Sequence, residues 1–137
     1  MSIEENKNIV RRYQEIYNSN DLEALSEVVS EDLLTPKIMP GIPAGIEGAK
    51  TAHQIMLAGF PDYQTAIDDL IAEGDKVAAR ITMSGTHTGS FMGIPPTGKR
   101  ISFTGMYVAR VDDGKIVEHW GEEDSVSLLQ QLGVLSL

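Results

Sequence analysis

The side chains best equipped for chemistry lie together near the C-terminal end, in Lys115-Ile116-Val117-Glu118-His119-Trp120-Gly121-Glu122-Glu123-Asp124. This segment carries the only tryptophan, four carboxylates and one of the three histidines. Its β-branched opening reads as a strand. Alternation then puts Ile116, Glu118, Trp120, Glu122 and Asp124 on one face. An aromatic ring beside carboxylates suits the mouth of a pocket, with the ring as a wall and Asp124 as an acid or base. Burial and like charge raise a carboxyl pKa and make it a better base toward carbon. Asp124 also stands where a helix N-cap belongs, just before Ser125-Val126-Ser127-Leu128-Leu129-Gln130-Gln131. Capping alone, with Glu118 and Glu122 solvated, is therefore the competing reading.

The register of the last hairpin decides which side chains join Asp124. A two-residue Asp113-Gly114 loop pairs Val111 with Ile116 and sets Tyr107 and Phe103 on the face of Trp120 and Asp124. A three-residue Asp112-Asp113-Gly114 loop pairs Val111 with Lys115 and sets Thr104, Met106, Val108 and Arg110 there instead. The second is preferred, because partly buried carboxylates need a cation and Arg110 supplies one. On the segment 76–88, Val77, Ala79, Ile81, Met83 and His87 share a parity and should face the core, with Arg80 on the other side. His119 has the wrong parity for this pocket and reads as structural or interfacial. His53 reads as a core-edge residue. Tyr17, near a helix end, has the reach to bring its hydroxyl to a cavity.

The rest of the chain supplies the frame. Residues 3–18 show helical spacing at Ile9, Tyr13, Ile16 and Tyr17, with Glu4 and Glu5 early and Arg11 and Arg12 later. Asp21 should cap a second helix bearing Leu22, Leu25, Val28 and Val29. A short extended piece at Asp32-Leu33-Leu34 leads into a loop crowded with Pro36, Pro40, Gly41, Pro43, Gly45 and Gly48. A third helix runs from about Ala49 to Gly59, with Ala52, Ile55, Met56 and Phe60 as its apolar side. Strands are expected at 63–73, 76–88 and 99–111 before the final one, with turns at Glu73-Gly74-Asp75 and Asp112-Asp113-Gly114. Residues 89–98 hold Gly93, Pro95, Pro96 and Gly98 and cannot be regular. Helices first and a meandering antiparallel sheet after them argue an α+β fold, one domain over residues 1–137, with helices gathered on one face of a curved sheet.

Composition narrows the function. The chain has 137 residues, no cysteine and a net charge of −9. Thiolate metal or redox chemistry is excluded. Nucleic acid is not an expected partner, since phosphate binding needs clustered Lys and Arg. No apolar run approaches a membrane span and no signal segment is evident, so a cytoplasmic protein is the default.

Several segments together carry a family resemblance: Phe60-Pro61-Asp62, Asp69 to Arg80, Gly85-Thr86-His87-Thr88-Gly89, Gly93-Ile94-Pro95-Pro96-Thr97-Gly98-Lys99, and Asp113 through Asp124 to Gly133. With these the chain resembles the SnoaL-like polyketide cyclases, or ester cyclases, of the cone-shaped superfamily that includes ketosteroid isomerase and nuclear transport factor 2. The resemblance implies a strongly bent sheet wrapped around N-terminal helices, with an internal cavity. It implies intramolecular aldol ring closure on a small hydrophobic carbonyl compound, without metal or cofactor, and a homodimer through the outer sheet face. The family's acid/base aspartate matches Asp124. His87, Arg110 or the Trp120 indole would then hold the enolate oxygen, with Met106, Tyr17, Phe60 and Glu122 completing the substrate site. A non-catalytic ligand-binding or dimerisation module and an epoxide hydrolase-like or isomerase-like enzyme are the alternatives on the same fold. The hydrolase would need an Asp-Arg-Asp cluster, for which Arg110 and Asp124 are two candidates.

Overall fold

The computed structural model describes residues 2–36 and 40–136, so residues 37–39 of the proline- and glycine-rich loop lie outside the described part. Helix α1 spans Ile3–Ser19. Ser2 and Glu5 cap it reciprocally, each side chain bonded to the other's backbone N–H. Its buried face carries Val10, Tyr13, Gln14, Ile16 and Tyr17. Asp21 makes no capping hydrogen bond, and Leu22–Glu27 form a 3₁₀ turn, not the expected second α-helix. Val29 leaves that turn and opens strand β1, Val29–Leu34. Helix α2 spans Gly45–Gly59 and packs against β1. Strands β2 (Gln64–Glu73), β3 (Lys76–Thr86), β4 (Arg100–Asp112) and β5 (Lys115–Glu123) follow, then helix α3 (Ser125–Gln131).

The five strands form one curled sheet in the order β1-β5-β4-β3-β2. It is antiparallel except at one edge, where β1 runs parallel to β5. That pairing was not legible beforehand: six residues that include Ser30, Glu31 and Asp32 show no alternation strong enough to mark a strand. Burial alternates along β3 and β4, so Val77, Ala79, Ile81, Met83, Phe103, Tyr107, Ala109 and Val111 form the inner face with the buried side of α1. The fold is thus the α+β cone-type arrangement, with helices against the inner face of a bent sheet.

Two carboxamides pin helices to strand edges. Asn18, at the end of α1, donates to the Thr65 carbonyl and accepts from the Thr65 N–H, both at 2.9 Å. Gln131 on α3 does the same to Ser102, at 2.7 and 2.9 Å. The amides stand in for a neighbouring strand, and α3 covers the edge of β4 that β5 is too short to pair. Asn18→Ala should strip partners from both Thr65 backbone groups and lower stability by about 1–3 kcal/mol. A urea unfolding curve with an unchanged midpoint would refute the pinning role.

Candidate active site

The β4–β5 hairpin determines what the interior contains. Its turn is the two-residue one: Asp112 pairs Lys115 and Val111 pairs Ile116, with Asp113 at φ 48° and Gly114 at φ 76°. The preferred three-residue loop is therefore corrected. One step further the register slips, because Arg110 pairs Glu118 and Val117 has no residue opposite. This bulge turns the rest of β5 over. Val108 then lies opposite Trp120 and Met106 opposite Glu122. The expected grouping of Met106, Val108 and Arg110 with Glu118, Trp120 and Glu122 is present, but on the outer face.

The placements of the expected site residues follow from that register. Trp120 is 37% exposed and Met106 53% exposed, so neither lines the helix-covered interior. Glu122 shares their side. Arg110 donates to Glu118 at 3.0 Å and lies 3.7 Å from Asp75, an outer-face ion-pair group. Asp124 is exposed at the end of the strand, and its carboxylate accepts the Ser127 N–H at 3.0 Å as the cap of α3. These positions correct the pocket drawn from the sequence: Glu118, Trp120 and Glu122 do share a face, but it is the outer one, and Ile116, expected beside them, lies across the bulge in the core. The Asp-Arg-Asp cluster of a hydrolase is not assembled either, since Arg110 and Asp124 sit at opposite ends of the hairpin.

His87 and Phe60 are fully buried but belong to the packing under the 89–98 loop. The Thr97 N–H donates to His87 Nδ1 at 3.2 Å, which leaves the ring proton on Nε2. The Thr97 hydroxyl lies 2.9 Å from the same nitrogen. Phe60 packs between His87 and Phe91, at 5.2 Å from each ring. Among the expected residues, Tyr17 alone reaches the group described next.

On the inner side of β5 stand His119, Gly121 and Glu123. Gly121 faces Tyr107, and Gly105 faces Glu123. The Met83 methyl fills the space beside Gly105, where an added Cβ would meet it at 3.0 Å. Beside Gly121 an added Cβ would be in ordinary contact with His119 at 3.4 Å, Tyr107 at 3.8 Å and the Met106 carbonyl at 3.9 Å, so the hollow there is the room a methyl group would take. A collar of ring contacts begins beside it. His119 stacks on Tyr107 at 4.7 Å and lies 6.0 Å from Tyr13. Tyr13 meets Tyr17 edge-on at 4.8 Å, Tyr17 meets His53 at 4.7 Å, and His53 lies 5.9 Å from Tyr63. The Glu123 charge adds to the burial that raises the Tyr63 hydroxyl.

The collar is uncharged apart from Glu123. Desolvation lowers His119 to about 4 and depresses His53, so both imidazoles are neutral near pH 7. Burial raises Tyr17 and Tyr63 to about 12 and lifts Tyr13 and Tyr107 further, so all four remain hydroxyl donors. Glu123 is lifted above the ordinary glutamate value by desolvation. The residue is exposed overall, at the end of β5. Among the described residues no cluster of three or more His, Cys, Asp or Glu side chains suits a metal ion, and no helix is long and apolar enough to cross a membrane. His119 and Glu123 were missed because one unpaired valine reverses their parity, and nothing in the residue types announces that bulge.

The depressed imidazoles have a stability consequence. A histidine whose folded pKa lies below its unfolded value stabilises the fold above the unfolded pKa and loses that contribution as pH falls. Stability should therefore decline from about pH 6.5 toward pH 4, by at most about 3 kcal/mol for His119. His119→Phe should flatten the decline; a pH series of thermal melts identical to wild type would contradict the burial of that ring.

A family model described as SnoaL-like polyketide cyclase matches residues 7–132. The aklanonic acid methyl ester cyclase DnrD of Streptomyces peucetius is 29% identical over 129 residues, covering 91% of this chain and 88% of that protein. Among solved structures, TsrD from Streptomyces laurentii superposes with a TM-score of 0.89 at 31% identity, covering 98% of this chain and 99% of that one. IdmH from Streptomyces antibioticus is 38% identical with a TM-score of 0.82, covering 94% and 99%. With the curled sheet, the helix-covered interior and this match over nearly its whole length, the chain belongs to the SnoaL-like polyketide cyclase family.

Proposed function

We propose that this protein closes a ring by intramolecular aldol addition within the collar around Gly121, on a small hydrophobic ester with an acidic C–H between carbonyls. The observation that supports it most is that one desolvated carboxyl, Glu123, shares the inner side of β5 with the neutral His119 ring and a side-chain-free position. Glu123 takes the proton from the activated carbon. The tyrosine hydroxyls and the neutral His119 ring are the available donors to the enolate oxygen. The carbanion attacks a second carbonyl carbon of the same molecule, and the new alkoxide recovers the proton from Glu123. This assigns to Glu123 the acid/base role expected of Asp124, whose carboxylate is committed to α3. A positioned base contributes about 10²–10⁴-fold, and folding the substrate so that its reacting carbons meet supplies much of the rest. The collar includes no Lys or Arg among the described residues, so an esterified substrate fits it better than a free carboxylate.

The Asp124 cap also favours a second reading, a non-catalytic ligand-binding module, in which the same hollow holds a neutral aromatic compound without turnover. In either case a second copy is the proposed partner for the outer face, where Ile71, Ala78, Val108 and Trp120 form an apolar row across four strands.

Aklanonic and nogalonic acid methyl esters, the compounds in the names of the curated relatives, are suitable assay substrates. Glu123→Gln should lower kcat by about 10²–10⁴-fold, while Asp124→Asn leaves it within about threefold. The reverse ranking would show that the base was misassigned. Equal thermal shifts for wild type and Glu123→Gln, with no product from either, would establish the binding module.

A further inference from the structure

We propose that Gln14 is a positioning residue for the hollow: its side-chain carbonyl holds the Tyr107 hydroxyl, and the Tyr107 ring in turn sets the plane of the His119 imidazole. The proposal rests on reading the collar as the ligand site. Gln14 is a polar residue on the core-facing side of α1, only 7% exposed. Leucine would be the ordinary choice there, since burying an amide is costly unless its polar atoms are used. The Tyr107 O–H donates to Gln14 Oε1 at 3.0 Å, a buried hydrogen bond between α1 and β4. That bond fixes which way the amide faces and prevents free turning of the phenol ring. His119 lies against the held ring at 4.7 Å with planes 30° apart. Apart from its own backbone, the imidazole is held by its aromatic neighbours. A stacked neutral imidazole takes its orientation from the ring beneath it, so the amide controls His119 at one remove.

The test uses the full chain with labelled histidine and needs no substrate for its first arm. Gln14→Leu keeps the volume and removes the acceptor; Gln14→Glu keeps an acceptor at the same reach. In Gln14→Leu the His119 ring ¹⁵N shifts and its tautomer ratio should change while those of His53 do not, and Gln14→Glu should restore them. Tyr107→Phe keeps the ring without the hydroxyl, so it should reproduce the change even if Gln14→Leu folds poorly. The double variant should add nothing further, because both substitutions break one linkage. Unchanged His119 signals in Tyr107→Phe, or changes that add independently, would overturn the proposal. In a second arm with a methyl ester substrate, Gln14→Leu should lower kcat about tenfold with KM nearly unchanged. No turnover by wild type would count against the reaction proposed for the hollow, and the histidine spectra would still decide the role of Gln14.

Discussion

One unpaired residue, Val117, decides what this protein has inside it. The Asp113-Gly114 turn alone would carry Glu118, Trp120 and Glu122 into the helix-covered interior. The bulge reverses them within a single residue, because side chains on a strand alternate with period two. His119, Gly121 and Glu123 go in; the indole and its acidic neighbours go out. The interior face of β4 was already committed to Phe103, Tyr107 and Ala109, so the bulge lets β5 dock without burying Glu118 and Glu122. Arg110, Glu118 and Asp75 form their ion pairs partly exposed on the outer face, where desolvation costs less than in the core.

The same constraint gives the hollow its chemical character. Tyrosine, histidine and glutamine occupy positions where a simple core would have aliphatic side chains. Desolvation keeps their groups uncharged, and the lone carboxyl sits at the rim where water can still reach part of it. The rings beside Gly121 do not ionise near neutral pH. The collar rings pack against one another at centroid distances of 4.7–6.0 Å. Tyr13 and Tyr17 lie on α1, which Asn18 anchors to β2 near its last turn.

Much of the architecture was legible in the residues. Helical spacing in α1, strand alternation in β3 and β4, and the glycine and proline content of residues 89–98 each point to one local structure. His87 and Arg80 fall on the sides that their parity requires. Three features were hidden for physical reasons. The Leu22–Glu27 segment has an apolar face but no effective cap, so it stays a 3₁₀ turn. Strand β1 gains its stability from pairing beside β5, not from its own pattern. The bulge has no composition signature in Lys115-Ile116-Val117-Glu118, and through it Trp120 and Glu122 were read on the wrong face. Asp124 shows the same limit: one sequence position satisfies both a cap rule and a catalytic pattern, and in the structure its carboxylate accepts the Ser127 N–H at 3.0 Å.

The register of β5 can be measured directly by nuclear Overhauser contacts among assigned aromatic side chains. His119 ring protons should show contacts to both Tyr107 and Tyr13, and the Trp120 indole should show contacts to the Val108 methyl groups. Contacts from the Trp120 indole to Tyr107 or Tyr13, with none from His119, would place the tryptophan inside and contradict the account.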